Sequence, residues 1–435
     1  MFWLFFAGGA AYFILQFLLR PDPIKLLNIY GQPGKWYFLK FNLMKFIIDR
    51  RQKKKNAKPE SSESNKENLM NSQWGGDGGE RDIQEMEKKH DLKEEWSADA
   101  VFFDASNQDG WYFTLGTAQR PNDIINLFFI LRIPEVGTFV NEEIHTETNV
   151  KSIRCSEKEW KTESGFVVSC IEPMKKWRLR FNGKLATSPG KINFVVREQV
   201  TTKRNKNGAE KMKDDVEVID ANFDLTWTNF GGQFDFDKMC SPTAIAHSLA
   251  IEPWSRGLFD KMRASHQTHY EQFGKLVGDI KIGNNEKKGI RMTSMRDHTI
   301  AGYRRWSDIR RYIMMIYHLE DGTCIHTSVI SMPETVFSHL EFGYIVTPSG
   351  ETKPVDRVHF SLPNHGEDRD FPDDFHYSFE VEGKTYHADV HIKEVVSFKM
   401  GLDQACQVNE GMCEYLVDGK RGWGFAEVEY RIHPY

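Results

Sequence analysis

The chain has 435 residues, 40% of them hydrophobic and 13% aromatic, and a formal net charge of −5. That length exceeds one ordinary hydrophobic core and predicts two or three domains, with an aromatic content that suits short strands between turns. Residues 1–58 hold eleven Lys or Arg against Asp22 and Asp49, which leaves a net −14 for the remainder; an acidic folded region argues against nucleic acid as a partner.

The chain opens with "MFWLFFAGGAAYFILQFLL", nineteen uncharged residues before Arg20. This approaches the roughly 20 residues needed to cross a bilayer core and lacks the positive n-region of a cleaved signal. Residues 1–22 are therefore expected to be an uncleaved transmembrane anchor. The Lys and Arg that follow place the bulk of the chain on the cytosolic face, in a single-pass protein of the endoplasmic reticulum or a related endomembrane. Small residues at "GGAA" (8–11) suit helix packing and have no phosphate-loop context. Residues 23–51 contain "KWYFLKFNLMKFII", whose lysines spread around a helix, and read as an interfacial segment at headgroup depth. Residues 52–95 are polar, charged and Gly/Ser-containing, and read as a flexible tether. The six cysteines form no CxxC pair and no Asn-x-Ser/Thr acceptor occurs, as suits reduced thiols outside the secretory lumen.

From Trp96 the texture changes to short aromatic strands: "AVFFDAS", "WYFTLGTAQ", "INLFFILRIP", "GFVVSCIEP", "KWRLRFNG", "KINFVVREQV", a polar hairpin tip at "KRNKNGAEKMKDD", and "VEVIDANFDLTWTNF". Residues 96–240 are thus expected to form an antiparallel unit of about eight strands, the count of a small barrel or sandwich. Residues 241–265 read as a crossover with some helix, and a second strand series of similar size fills 266–435. It ends on "RGWGFAEVEYR", where Ala426, Val428, Tyr430 and Ile432 alternate with Phe425, Glu427, Glu429 and Arg431. That alternation predicts a last strand with a dry face and a charged face.

"HYEQFGKLVGDIKI" followed by "RDHTIAGYRRW", with "EPMKKWRLRFNG" before them and the closing "RGWGFAEVEYR", resembles the signature of a tandem lipocalin-like family. That family includes hydroxyneurosporene synthase (carotenoid 1,2-hydratase), Diels–Alderases, and AttH-like and survival-factor-type lipid-binding proteins. Similar regions occur fused to phosphoenolpyruvate-synthase-like enzymes, and nothing of that catalytic part is present in this sequence. The chain departs from the signature at Ile300 and Ala301, inserted before Gly302. The resemblance covers roughly residues 96–435 and implies an all-β fold: two tandem antiparallel lipocalin-like β-barrels, here behind an N-terminal transmembrane helix. It implies a hydrophobic small molecule bound in or between the barrels, with the last strand closing the second barrel and Gly422 and Gly424 easing a corner.

Arg296, Asp297, His298, Arg304, Arg305 and Trp306 form the densest charged group of the folded region. On a strand Arg296 and His298 share a face while Asp297 points the other way, so Asp297 cannot orient His298. Two readings stand. Either the group lies at a pocket mouth, with His298 moving protons and Asp297 beside Arg304, or it is an ion-paired brace between barrels. Glu271 and Gln272 either join the same arginines at a ligand or simply begin a strand. Candidate ligand-binding residues are therefore Glu271, Gln272, Arg296, Asp297, His298, Arg304 and Trp306, with His298 and Asp297 the candidates for catalysis. In "FHYSFEVEGKTYHADVHI" a hairpin turning at Gly383 and Lys384 lines up His387, Asp389 and His391 on a polar face. That pattern fits solvent exposure first and a metal second. No cofactor is expected. The reading is a membrane-anchored binding or carrier protein for a lipid or isoprenoid-like molecule. The alternatives are a hydratase- or cyclase-type enzyme on a membrane-soluble terpenoid, and a non-catalytic scaffold. Sequence leaves the oligomeric state open.

Overall fold

The computed structural model describes residues 12, 15–56, 83–144, 146–188, 190–192, 216–367 and 374–432. Most of the expected anchor, much of the tether, most of the "KINFVVREQV" strand and the whole "KRNKNGAEKMKDD" tip lie outside them. Among the described residues no helix is long and apolar enough to cross a membrane.

The fold is mostly β. The strands are Ala98–Ser106 (β1), Tyr112–Arg120 (β2), Ile124–Ile133 (β3), Gly137–Asn141 (β4), Asn149–Lys151 (β5), Glu159–Lys161 (β6), Phe166–Glu172 (β7), Lys176–Thr187 (β8), Val218–Asn229 (β9) and Phe234–Asp235 (β10). They continue as Gln267–Ile282 (β11), Asn285–Ala301 (β12), Arg311–Leu319 (β13), Cys324–Ser331 (β14), Leu340–Val346 (β15), Thr352–Pro354 (β16), Arg357–His359 (β17), Asp374–Val381 (β18), Lys384–Met400 (β19), Cys406–Val417 (β20) and Lys420–Arg431 (β21).

Eight strands close a barrel: β12 pairs with β1, the ladder runs through β2, β3, β4, β8 and β9, and β9 returns to β11, which pairs with β12. The strand series expected for a second barrel therefore divides. Its first two strands, 267–301, close the first barrel, and only the strands after Arg311 make the second sheet. That nine-stranded sheet is a half-barrel rather than a full one. The chain steps across its seam through Val355 and Asp356, whose amides donate to Gly343 O (2.8 Å) and Glu380 O (2.7 Å), so β16 and β17 lie on opposite edges and do not pair. Alternation writes which face is buried; it does not write which strand is the neighbour.

β21 is a central strand between β13 and β20, not the closing edge. A Cβ at Gly424 would sit 2.1 Å from Ile316 O and 2.5 Å from Tyr317 Cα, so glycine there serves the close approach of β13 and not a corner. The strand's charged face is buried as well: Glu427 and Glu429 lie under the other barrel. The β18–β19 hairpin turns at Glu382 and Gly383, both at positive φ, one residue earlier than expected. His376 consequently faces Asp389 and Ser378 faces His387, with the polar face outward as its alternation implies.

Helix Pro242–Ala250 starts where Ser241 accepts from Thr243 N and Pro242 fills the first turn. Helix Tyr37–Asn56 lies against it: Tyr37 Oη meets His247 Nδ1 at 2.5 Å, and Met44 and Ile48 pack on the cluster that holds Ile245 and Leu249. The interfacial segment expected at 23–51 is thus docked on the body along one side, while Phe38, Leu39, Leu43 and Phe46 remain exposed. The last part of the stretch expected as tether is also in place, with Met86 and Glu87 buried.

Candidate functional site

Strands β11 and β12 carry the motif as far as Ala301, and their alternation sorts that part onto two sides of the barrel wall, with Arg304, Arg305 and Trp306 in the connection that follows. Tyr270, Gln272, Arg296 and His298 point into the barrel; His269, Glu271, Met295 and Asp297 point out, toward the half-barrel.

The inward group is a closed polar network. Arg296 Nη2 donates to Glu87 Oε1 at 2.9 Å and to Gln272 Oε1, with its guanidinium 5.1 Å from the ring centres of both Trp177 and Trp227. Glu87 Oε2 accepts from Trp177 Nε1 and Met174 N, each at 3.0 Å. His298 Nε2 donates to Asp99 Oδ1 at 2.8 Å, its Nδ1 lies 2.9 Å from Tyr270 Oη, and Tyr270 donates onward to Glu87 Oε1 at 2.7 Å. Burial works against the His298 charge, but Asp99 and Glu87 outweigh it and push its pKa up to about 9. Burial likewise opposes the Glu87 charge, and Arg296 and His298 nonetheless hold that carboxyl well below the usual range. Arg296, His298, Glu87 and Asp99 are all fully buried, and none of them lines the cavity between the sheets described next. This network lies in the interior of the first barrel and not in the contact between the two sheets.

The outward group meets open space. Between β1, β2, β11 and β12 on one side and β13, β14 and β21 on the other lies a cavity of about 270 Å³. It exists because the outward positions of β1 and β2 are small: Ala98, Ala100, Gly116 and Ala118. Phe102, Met295, Met314, Ile316, Ile330 and Phe342 supply apolar wall, while the interiors of both sheets are filled by their own side chains. Polar groups gather on one part of the lining. Glu271 takes His269 Nε2 at 3.0 Å and His326 Nδ1 at 2.7 Å; burial opposes its charge, but the two histidines bring its pKa down to about 2. Asp297 lines the cavity with no hydrogen bond and no ion pair among the described residues, and burial, aided by Glu271, raises its pKa. Arg304, the partner expected for Asp297, instead lies over the Trp306 ring at 5.3 Å, and both line the cavity. Arg305, in the connection after β12, pairs with Asp403 in the β19–β20 turn at 3.3 Å.

Of the residues singled out in the sequence, Glu271, Asp297, Arg304 and Trp306 meet at the cavity, and Gln272, Arg296 and His298 do not. His387, Asp389 and His391 lie on the solvent face of their hairpin; among the described residues no group of three or more His, Cys, Asp or Glu side chains is placed to hold a metal. Glu87 escaped sequence reasoning because "DIQEMEKKH" has the composition of a linker. Glu427 and its cross-strand neighbour Glu410 escaped because an alternating charged face ordinarily means water. The signal available for them was Glu410 itself, a carboxylate inside the otherwise uncharged run "CQVNEGMC".

The chain belongs to a family of unknown function, DUF8627, whose model matches residues 5–430. No curated protein matches it in sequence. Among solved structures it is similar to a putative AttH from Nitrosomonas europaea (10% identity, 77% of this chain and 92% of that one, TM-score 0.44). It is also similar to kievitone hydratase from Nectria haematococca (11% identity, 77% and 89%, TM-score 0.39) and to CghA (10% identity, 78% and 90%, TM-score 0.39).

Proposed function

We propose that the chain binds a hydrophobic small molecule, lipid or isoprenoid-like, between its closed barrel and its half-barrel, at a membrane surface. The observation that carries this reading is the inter-sheet cavity: apolar walls, a small-residue floor on β1 and β2, and a confined set of polar groups, the composition of a ligand site. The apolar run at 1–19, the basic residues after it and the exposed Phe38, Leu39, Leu43 and Phe46 support the membrane setting, where a ligand that partitions into lipid is concentrated near its acceptor.

The test is Ala118→Phe, which fills the floor of the cavity. Retention of a tritiated prenyl alcohol by the full chain in lipid nanodiscs is expected to fall at least tenfold, to the level of empty discs. Unchanged retention would rule the cavity out as the binding site.

A second reading, an acid–base enzyme of hydratase or cyclase type, is favoured by one group. Asp297 is a cavity-facing carboxyl that burial keeps easier to protonate than usual and that has no ion pair among the described residues, which suits a general acid. In this reading Asp297 takes the role that the sequence suggested for His298.

A further inference from the structure

At the cavity wall opposite Asp297, the half-barrel contributes Glu427 from β21, and directly across the ladder stands Glu410 from β20. They are 6% and 1% exposed, and two carboxyls held side by side out of water do not both ionise, so one of them keeps a proton. Tyr312 Oη, from β13, donates to Glu427 Oε1. The other ionisable groups packed around the pair are Asp104 from β1 and Glu429 from β21; among the described residues no Lys, Arg or His forms an ion pair with Glu410 or Glu427. Glu429 has Arg431 and Arg311 in its neighbourhood, on the far side from the cavity.

Resting on the reading of the cavity as a ligand site, we propose that Glu410 carries the proton and donates it to Glu427, which faces the cavity as an ionised acceptor and selects an apolar ligand bearing a neutral hydroxyl group over the corresponding carboxylate. Tyr312 donates to Glu427, whereas Glu410 Oε1 has no hydrogen-bond partner among the described residues. Burial, then the facing Glu427, holds the Glu410 carboxyl well above its ordinary pKa. A ligand hydroxyl completes the Glu427 oxygens; a ligand carboxylate meets Glu427, Asp297 and Glu271 in a site of low polarity. The cavity's arginines are already engaged: Arg120 gives its hydrogen bonds to Asn126 and to the carbonyls of Trp96, Ser97 and Arg304, and the Arg304 guanidinium, over the Trp306 ring, acts with its charge on Asp297.

The experiment uses the full chain in nanodiscs with three probes of one skeleton: farnesol, its methyl ether and farnesoic acid, with retained probe quantified by mass spectrometry against empty discs. Farnesol is expected to be retained about tenfold more tightly than either of the others, the scale of one hydrogen bond to a charged group. Glu427→Gln, which keeps the shape and removes the charge, is expected to raise retention of the acid about tenfold and leave the alcohol within a few-fold. Equal retention of acid and alcohol by the wild type, or an acid-to-alcohol ratio that Glu427→Gln leaves unchanged, overturns the proposal. Retention that Ala118→Phe abolishes but that ignores the head group removes this inference alone; retention that Ala118→Phe does not touch, or none of any probe, removes the cavity reading with it. Infrared spectroscopy of the unliganded chain tests the proton directly. A carboxylic-acid carbonyl stretch at pH 7 is expected to weaken in Glu410→Gln, and an unchanged band assigns the proton elsewhere and overturns the proposal.

Discussion

Among the described residues Arg296 pairs with one carboxylate, Glu87, and both are fully buried. Glu87→Gln keeps the acceptor for Trp177 and Met174 but leaves the guanidinium charge uncompensated inside the barrel, which is expected to cost about 3–5 kcal/mol of stability. Urea unfolding reads this directly, and a loss below about 1 kcal/mol would contradict the brace. His298 gives a pH signature in the same network. Its folded-state pKa of about 9 lies above the ordinary histidine value of 6.5, so its charge contributes in full below about pH 6.5 and that contribution is lost as pH rises through about 9. The contribution is at most about 3 kcal/mol. Unfolding free energy is expected to fall between pH 7 and 9, with a shallower slope in His298→Gln; parallel slopes would dissociate the effect from His298. The sequence placed Arg296 and His298 on one face and Asp297 on the other, and that division holds because strand geometry enforces it. It could not supply Glu87, which lies 209 residues from Arg296 in a stretch with the composition of a solvated linker.

β21 shows how an element can be read correctly along its length and wrongly across it. Its alternation is written in "FAEVEYRI", but a charged face meets water only when nothing covers it, and here the closed barrel does. The burial of Glu427 and Glu429 is therefore a property of the packing of two sheets. Gly424 belongs to the same strand and the same lesson. An added methyl there meets the backbone of β13 at Ile316 and Tyr317, with no flexible side chain to yield. Gly424→Ala is expected to part the β13–β21 ladder and lower stability by more than about 2 kcal/mol, since overpacking a well-filled site typically costs 1–3 kcal/mol and backbone yields least. Thermal unfolding checks this, and a variant within about 0.5 kcal/mol of wild type would show that the strands have slack.

At the scale of the whole molecule, the division of the chain into two strand series does not coincide with its division into sheets. β11 and β12 follow the helical crossover in sequence yet close the barrel that precedes it, and the cavity is formed on their outer face. A fragment spanning residues 83–240 would leave β1 and β9 as unpaired edges and is expected not to fold, whereas residues 83–301 contain every barrel strand and the Glu87 brace and are expected to unfold cooperatively. Circular dichroism melts of the two fragments decide it; a sharp transition from 83–240 would contradict the closure. By itself the sequence determined the β-rich class, the helical crossover after Cys240 and the two-sided sorting of the motif, because these follow from local periodicity and turn chemistry. The tertiary structure alone decided that the second sheet stops at a half-barrel, that the charged motif divides between the barrel interior (Arg296, His298) and the inter-sheet cavity (Asp297, Arg304), and that this cavity opens between the sheets. Those outcomes depend on which strands pair across tens to hundreds of residues and on which faces become covered, and a strand's own pattern carries no record of its neighbour.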